Sequence, residues 1–251
     1  MNRTIDEKIN RIVEWLRSQV ENSGTDGLIV GLSGGIDSSV VAFLIKKAFP
    51  KDSMGVIMPC KSNEKDKNDA IDVAEAAELR HITVDLTDDQ DNIFGKVTNE
   101  LIKEKLDADK NRKLADANLR ARMRMSTLYT VANSLNYLVV GTDNAAEVYT
   151  GYFTKYGDGG VDILPIANLT KREVYEWARY LGVPQTVLDR PPSAGLWEGQ
   201  TDENEMGTTY NMIDDLVEGK EIPQKHRDII EGLNKRTEHK RKMPPSPPKY
   251  D

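Results

Sequence analysis

The sequence is poor in cysteine, and Cys60 is the only one among its 251 residues. A lone cysteine excludes an intramolecular disulfide and offers no zinc-binding spacing, which fits a reducing compartment. The residues after Met1 are polar and charged, and they lack the apolar run of a secretion signal or a membrane span. Both absences predict a cytoplasmic protein that does not act at a membrane, in which Cys60 is chemically inert.

An excess of positive charge is also absent. The formal net charge of -7 argues against broad binding to nucleic acid, whose phosphates usually meet a basic surface. Two short basic stretches, residues 120–124 and 239–242, are interpreted as candidate contacts for small anions, although such runs are more often solvated surface. Apolar residues make up 38% and charged residues 30%, which excludes a disordered chain and predicts one domain over residues 1–251.

Apolar runs alternate with amphipathic segments along the chain. The predicted strands are residues 27–32, 54–58, 81–85 and 137–141. The predicted helices are residues 5–22, 40–48, 65–79, 89–106, 114–135 and 170–182. Residues 142–160 and 190–206 are expected to be irregular connections. This alternation predicts the α/β class, with a parallel sheet flanked by helices.

The strongest chemical signal is the segment Ser-Gly-Gly-Ile-Asp-Ser-Ser at residues 33–39, between a predicted strand and a helix. Glycines allow a sharp turn, and the free amides at the start of a helix attract anions. The carboxylate of Asp37 would repel phosphate unless a cation such as magnesium lies between them. The segment lacks the lysine of a Walker A motif and the spacing of a dinucleotide-binding motif. The glycines, the helix amides and the serine hydroxyls nevertheless predict that the segment holds phosphate groups.

The same segment resembles the PP-loop of the ATP pyrophosphatase superfamily, whose members release AMP and pyrophosphate from ATP. Asparagine, argininosuccinate, GMP and tRNA-modifying enzymes share this loop, so other segments must identify the substrate. Those segments resemble the ammonia-dependent NAD synthetases in the same order and over nearly the whole chain, with Asn144 standing where members often have histidine. They are residues 117–125, 141–147, 151–160, 162–165, 169–172, 192–194 and 239–241.

The resemblance implies a Rossmann-like fold of the adenine nucleotide alpha hydrolase type. It also implies an activity, which is the ATP-dependent amidation of deamido-NAD with ammonia to give NAD, AMP and pyrophosphate through an adenylated intermediate. Magnesium is the implied cofactor and ATP the co-substrate. Members of this family act as homodimers, and residues 89–135 have apolar positions beyond those that one helix face needs to cover a sheet. They are the expected contact between subunits.

The resemblance further implies a role for individual residues. The ATP-binding set is Gly31, Leu32, Ser33, Gly34, Gly35, Ile36, Asp37, Ser38, Thr142, Lys171 and Ser193. The deamido-NAD-binding set is Arg122, Lys155, Asp162, His239 and Lys240. The implied magnesium ligands are Asp37 and Glu147, and the implied catalytic residues are Asp37, Lys171 and Lys155. Arginine and lysine suit the recognition of an anionic dinucleotide, and carboxylates at the ends of parallel strands suit a metal.

Two other functions compete with this one. A tRNA sulfur-transfer enzyme shares the loop but is expected to carry a cysteine pair, and this chain has only Cys60. A regulatory module could hold ATP without turnover, but the two acids Asp37 and Glu147 would then be unnecessary. The chain contains no room for a fused glutaminase domain, so ammonia is the predicted nitrogen donor.

Overall fold

Four parallel strands form the centre of the protein. The structure, a computed structural model, describes residues 3–106, 109–192 and 201–249. The strands are β1 (Gly27–Leu32), β2 (Ser53–Ile57), β3 (His81–Thr83) and β4 (Tyr137–Val140). They lie in the order β3-β2-β1-β4, with β1 paired to both β2 and β4. The predicted parallel sheet is confirmed, and each predicted strand is present.

Helices cover both faces of this sheet. The first five are α1 (Ile5–Ser23), α2 (Ile36–Ala48), α3 (Glu64–Ala76), α4 (Thr87–Lys103) and α5 (Arg112–Leu135). The others in the described residues are α6 (Ala145–Thr150), α7 (Lys171–Leu181), α8 (Gln185–Leu188), α9 (Asp202–Met206), α10 (Tyr210–Val217) and α11 (Gln224–Arg236). Among the described residues, none of these helices combines the length and apolarity needed to cross a lipid bilayer.

The structure corrects the predicted start of one helix and two stretches predicted to be irregular. Helix α2 begins at Ile36 rather than at residue 40. The hydroxyls of Ser38 and Ser39 donate hydrogen bonds to the carbonyl of Gly35, an arrangement compatible with helical backbone. The stretch 142–160, expected to be irregular, contains α6, which Asn144 caps. The stretch 190–206 contains α9, and its residues 193–200 lie outside the described part of the chain.

The alternation of side chains along β1 divides the core into two layers. Leu28, Val30 and Leu32 pack against α1, α2 and α7 on one face, and Ile29 packs with Leu128 of α5 on the other. A third apolar cluster joins α6, α9, α10 and α11. Because these four helices follow the end of β4, the third cluster lies beside the carboxyl ends of the strands, where α/β sheets bind ligands.

Candidate active site at the carboxyl ends of the strands

A cavity of about 540 Å³ opens at the carboxyl ends of β1, β2 and β4. The residues assigned to ATP from the sequence line it, apart from Gly34, whose Cα faces α3, and Ser193, which lies outside the described residues. Glu147 and Lys240 line it too. The structure therefore gathers the loop after β1, the start of α6 and the start of α7 around one space.

The glycine turn after β1 has a backbone conformation that residues with a Cβ rarely adopt. Gly34 has a φ of 75°, and the amide of Gly35 donates to the Ser33 hydroxyl at 3.1 Å. Gly35 caps α2 without a side-chain hydrogen bond. The first amides of α2 are therefore left for an external anion, as the sequence predicts.

Replacing Gly34 with alanine is expected to disable this turn. A Cβ at Gly34 would lie 2.6 Å from the carbonyl oxygen of Asp66, and a positive φ is itself unfavourable for alanine. We expect a loss of unfolding free energy of about 2 kcal/mol, measured by urea titration, and ATP binding weakened by about 10-fold or more. Gly95→Ala is the matched control, because a Cβ there meets nothing within 4 Å. Equal effects of the two substitutions would contradict this account.

Two carboxylates and one ammonium meet directly beyond the glycine turn. The Lys171 ammonium lies 2.6 Å from Asp37 Oδ2 and 3.8 Å from Glu147 Oε1. Only 4% of the Lys171 side chain is exposed, against 17% for Asp37. A residue in the first turn of α2, a residue of α6 and the first residue of α7 are thus joined in one buried ionic group, which we call the acid–lysine group (Asp37, Glu147 and Lys171).

Burial and charge shift the protonation of this group in opposite directions. Burial, together with the neighbouring carboxylate of Asp37, raises the pKa of Glu147 to about 8. Burial alone would lower the pKa of Lys171, but the carboxylates of Asp37 and Glu147 outweigh it and raise that pKa above its ordinary value. The lysine is therefore charged and pairs with the Asp37 carboxylate, while burial and that carboxylate favour the protonated form of Glu147.

The structure adds two residues that sequence reasoning did not select. The Asn144 amide donates to Asp37 Oδ1 at 2.9 Å, and its backbone N–H donates to Glu147 Oε2 at 3.1 Å. The spacing of Asn144 and Glu147 is that of a capping box, so this contact could have been predicted. Asp143 is buried beside the cavity, and burial and nearby carboxylates raise its pKa well above the ordinary value. Nothing in the sequence around Asp143 indicates its burial.

Three residues assigned to deamido-NAD form a second group at the surface. The Arg122 guanidinium donates through Nε and Nη2 to the Lys155 carbonyl, each at 3.4 Å. The Lys155 ammonium donates to the His239 carbonyl at 2.6 Å. In the described part of the chain these three side chains lie outside the lining of the cavity. Arg122 and Lys155 pair with carbonyl oxygens in these contacts, so the contacts do not neutralise their positive charge, and His239 contributes its carbonyl.

The last two residues of that set are held by the protein itself. The Lys240 ammonium donates to the carbonyls of Gly151 and Phe153, at 2.8 and 2.6 Å. Asp162 accepts a hydrogen bond from the Tyr129 hydroxyl and another from the Val139 amide, both at 2.8 Å. Asp162 therefore supports the edge of the sheet next to β4, a contact that the sequence assignment did not foresee.

The fold and this geometry define a class of protein. A parallel α/β sheet, an uncapped helix behind a glycine turn, and an acid–lysine group facing a cavity together suit the binding and activation of a nucleoside triphosphate. A model of the family described as NAD synthase matches residues 8–244. The chain belongs to the NAD synthase family, which confirms the resemblance found in the sequence, and ATP is the co-substrate of this family's carbon–nitrogen ligase reaction.

Comparisons with individual proteins agree with the family assignment. The NH3-dependent NAD+ synthetase of Alkaliphilus metalliredigens strain QYMF is 64% identical, and the match covers 96% of this chain and 97% of that protein. A solved NMN synthetase from Francisella tularensis is 38% identical with a TM-score of 0.90, over 98% of this chain and 99% of that one. A solved NAD+ synthetase from Burkholderia pseudomallei is 29% identical with a TM-score of 0.78, over 97% and 92%.

Proposed function

We propose that this chain makes NAD from deamido-NAD, ammonia and ATP, releasing AMP and pyrophosphate. The observation that carries the proposal is the acid–lysine group at the mouth of the glycine turn, because it places a buried charged lysine where a triphosphate would lie. The relatives named as NH3-dependent NAD+ synthetases support the choice of substrates.

The reaction has two steps. A carboxylate oxygen of the nicotinate attacks the α-phosphorus of ATP, and the bond to pyrophosphate breaks to leave an acyl-adenylate. The nitrogen of ammonia then attacks the acyl carbon, the bond to AMP breaks, and a proton is lost. Lys171 neutralises charge at the reacting phosphate, and the first amides of α2 hold the departing pyrophosphate. No side chain acts as a nucleophile.

The remaining residues recognise the two substrates in this proposal. Lys155 is assigned a catalytic role together with Asp37 and Lys171, because it would bring positive charge to the nicotinate end. Its ammonium lies outside the lining of the cavity and donates to the His239 carbonyl. The ATP-binding set is Gly31 to Ser38 together with Thr142, Lys171 and Ser193. The deamido-NAD-binding set is Arg122, Lys155, Asp162, His239 and Lys240, of which four are cations or a histidine suited to an anionic dinucleotide.

Magnesium fits the donor chemistry of the acid–lysine group. Among the described residues no cluster of three or more His, Cys, Asp or Glu forms a metal cage. Mg²⁺ commonly binds through one or two carboxylates together with substrate phosphates, and Asp37 and Glu147 supply two. Burial and the carboxylate of Asp37 raise the pKa of Glu147, and a cation bound beside it would favour its ionised form. When bound, the ion would offset the charge of pyrophosphate as it leaves.

A coupled assay tests this proposal. Pyrophosphate release is measured with the purified chain, ATP, magnesium and ammonia, each omitted in turn, with and without deamido-NAD. We expect continuous release only with the complete mixture that contains deamido-NAD, with NAD as the product. Without ammonia, the first step alone should release no more than one pyrophosphate per active site. Glutamine in place of ammonia is expected to give no NAD. Release of pyrophosphate without deamido-NAD would contradict the proposed substrate.

The mononucleotide of nicotinate is a second candidate substrate. One observation favours it, namely the TM-score of 0.90 to the Francisella tularensis NMN synthetase against 0.78 to the Burkholderia pseudomallei NAD+ synthetase. Both reactions would use the same adenylation at the acid–lysine group. Comparing kcat/KM for the mononucleotide and for deamido-NAD decides between them. We expect deamido-NAD to be preferred, and a higher kcat/KM for the mononucleotide would make it the substrate.

A homodimer is part of the proposal, and α4 supplies its surface. In α4 the only buried residue is Gln90, whereas Ile93, Val97 and Ile102 are 43%, 53% and 64% exposed. Leu114 at the start of α5 is 56% exposed. An apolar strip of this kind on a chain with a net charge of -7 is typical of an interface between subunits.

Val97→Asp is expected to convert the dimer into a monomer. The new carboxylate would lie in the centre of the apolar strip and would be buried without a partner in the dimer. Sedimentation velocity at micromolar concentration measures the change in mass. Val217→Asp on α10 is the matched control, because Val217 is 40% exposed on another helix. An unchanged mass for the Val97 variant would remove α4 from the interface.

The proposal also assigns the activity to the cytoplasm and to a single domain. The first part is supported by the chain having one cysteine, Cys60, which is buried and free. The second is supported by the family match over residues 8–244, which spans the whole sheet and the helices around the cavity.

A further inference from the structure

Helix α10 holds the main chain of Lys171 in place. The amides of Lys171 and Arg172 donate to the two carboxylate oxygens of Asp214, each at 3.0 Å. Asp214 lies on α10 and is 1% exposed. A carboxylate at the first turn of a helix pairs with amides that have no partner inside that helix. The Cα position of Lys171, the first residue of α7, is therefore fixed by α10.

A second residue of the same helix contacts the side chain of Lys171. Tyr210 lies four residues before Asp214, so both project from one face of α10. The ammonium of Lys171 lies 4.6 Å from the centroid of the Tyr210 ring, within the range of a cation–π contact. Tyr210 is 5% exposed. The helix therefore holds both ends of the lysine.

The hydroxyl of Tyr210 reaches a second member of the acid–lysine group. It lies 3.3 Å from Glu147 Oε1 and 2.9 Å from Asp202 Oδ2. The backbone amide of Tyr210 donates to Glu203 at 2.8 Å. This one side chain therefore joins α6, α7 and α9, and its ring and its hydroxyl contact different groups.

A lysine side chain has four rotatable bonds, and Asp37 alone would hold only its tip. With the Tyr210 ring beneath the ammonium and its hydroxyl on Glu147, α10 sets the distance between the ammonium and the Glu147 carboxylate. Positioned charges contribute most when they do not have to rearrange during the reaction. Losing a hydrogen bond to a charged group removes part of that arrangement without emptying the space.

We propose that Tyr210 is a positioning residue for the adenylation step, because it fixes the Lys171 ammonium and the Glu147 carboxylate relative to each other. This inference rests on the ligase activity proposed above. Tyr210 acts through Lys171 and Glu147, and Asp214 completes the attachment of Lys171 to the same helix. Neither residue of α10 belongs to the sets assigned from the sequence.

Tyr210→Phe tests the hydroxyl and keeps the ring. We expect kcat to fall by about 10-fold while the KM for ATP changes by less than about 2-fold, because the packing around the ring is unchanged. Exchange of labelled pyrophosphate into ATP, measured with deamido-NAD but without ammonia, should fall by the same factor. Tyr210→Leu also removes the ring contact and is expected to lower kcat by about 100-fold.

Tyr180→Phe is the matched control. Tyr180 lies on α7, its hydroxyl donates to Asp6 at 3.2 Å, and it is 52% exposed, so kcat should stay at the wild-type value. A Tyr210→Phe enzyme with wild-type kcat overturns the inference, whatever Tyr210→Leu does. A fall in kcat matched by an equal rise in the KM for ATP would also overturn it, since it would indicate a binding role. If the wild-type chain itself shows no exchange, the proposed function fails instead.

Discussion

Asp37→Asn is expected to reduce turnover by about 1,000-fold or more. The substitution keeps the size of the side chain and an oxygen for the Asn144 amide, but it removes the charge that lies 2.6 Å from the Lys171 ammonium. It also removes one of the two carboxylates proposed to hold magnesium. Initial rates of NAD formation at saturating ATP and magnesium measure the loss.

The fold is expected to survive this change. Glu147 lies 3.8 Å from the same ammonium, and it ionises more readily once the repulsion from Asp37 is gone, so Lys171 keeps a partner. Circular dichroism and thermal unfolding check this point. Asp72→Asn, at an exposed position of α3, is the control and should leave the rate unchanged. A near-normal rate in the Asp37 variant would disprove the assignment of Asp37 to metal binding and catalysis.

The central strands could be predicted because their signals are local. An apolar run that ends in a glycine turn identifies β1, and the spacing of Thr170 and Glu173 identifies the start of α7, where the capping box is present. Helices α6 and α9 are only six and five residues long, so they give too few periods for a pattern to be recognised. Their capping residues are a better signal than their apolar positions.

The meeting of Asp37, Glu147 and Lys171 could be anticipated only through the family resemblance. These residues are up to 134 positions apart, and the topology of the sheet brings them together. The contribution of α10 could not be anticipated, because Tyr210 and Asp214 form part of no motif and reach Lys171 through packing of the third apolar cluster. Side chains that contact the site residues rather than the substrate have no fixed spacing in the sequence by which they could be recognised.

Lys171→Met is expected to lower turnover by about 1,000-fold and to weaken ATP binding by about 10-fold. Methionine fills the narrow space that the lysine occupies, where 4% of its side chain is exposed, but brings no charge to the reacting phosphate. The carboxylates of Asp37 and Glu147 would then lack their ammonium, and their repulsion would disfavour an approaching triphosphate. Single-turnover rates of pyrophosphate release and calorimetric titration with ATP measure the two effects separately.

Lys171→Arg is the sharper comparison, because it keeps the charge. A planar guanidinium does not reproduce a compact ammonium held between Asp37 and the ring of Tyr210. We therefore expect the Lys171→Arg variant to have less than about one tenth of the wild-type rate. Lys8→Met is the matched control, since Lys8 of α1 forms a partly exposed ion pair with Glu173 of α7, the helix that begins at Lys171. Full activity in Lys171→Arg would mean that only charge matters here, and the geometry set by α10 would then be irrelevant to the rate.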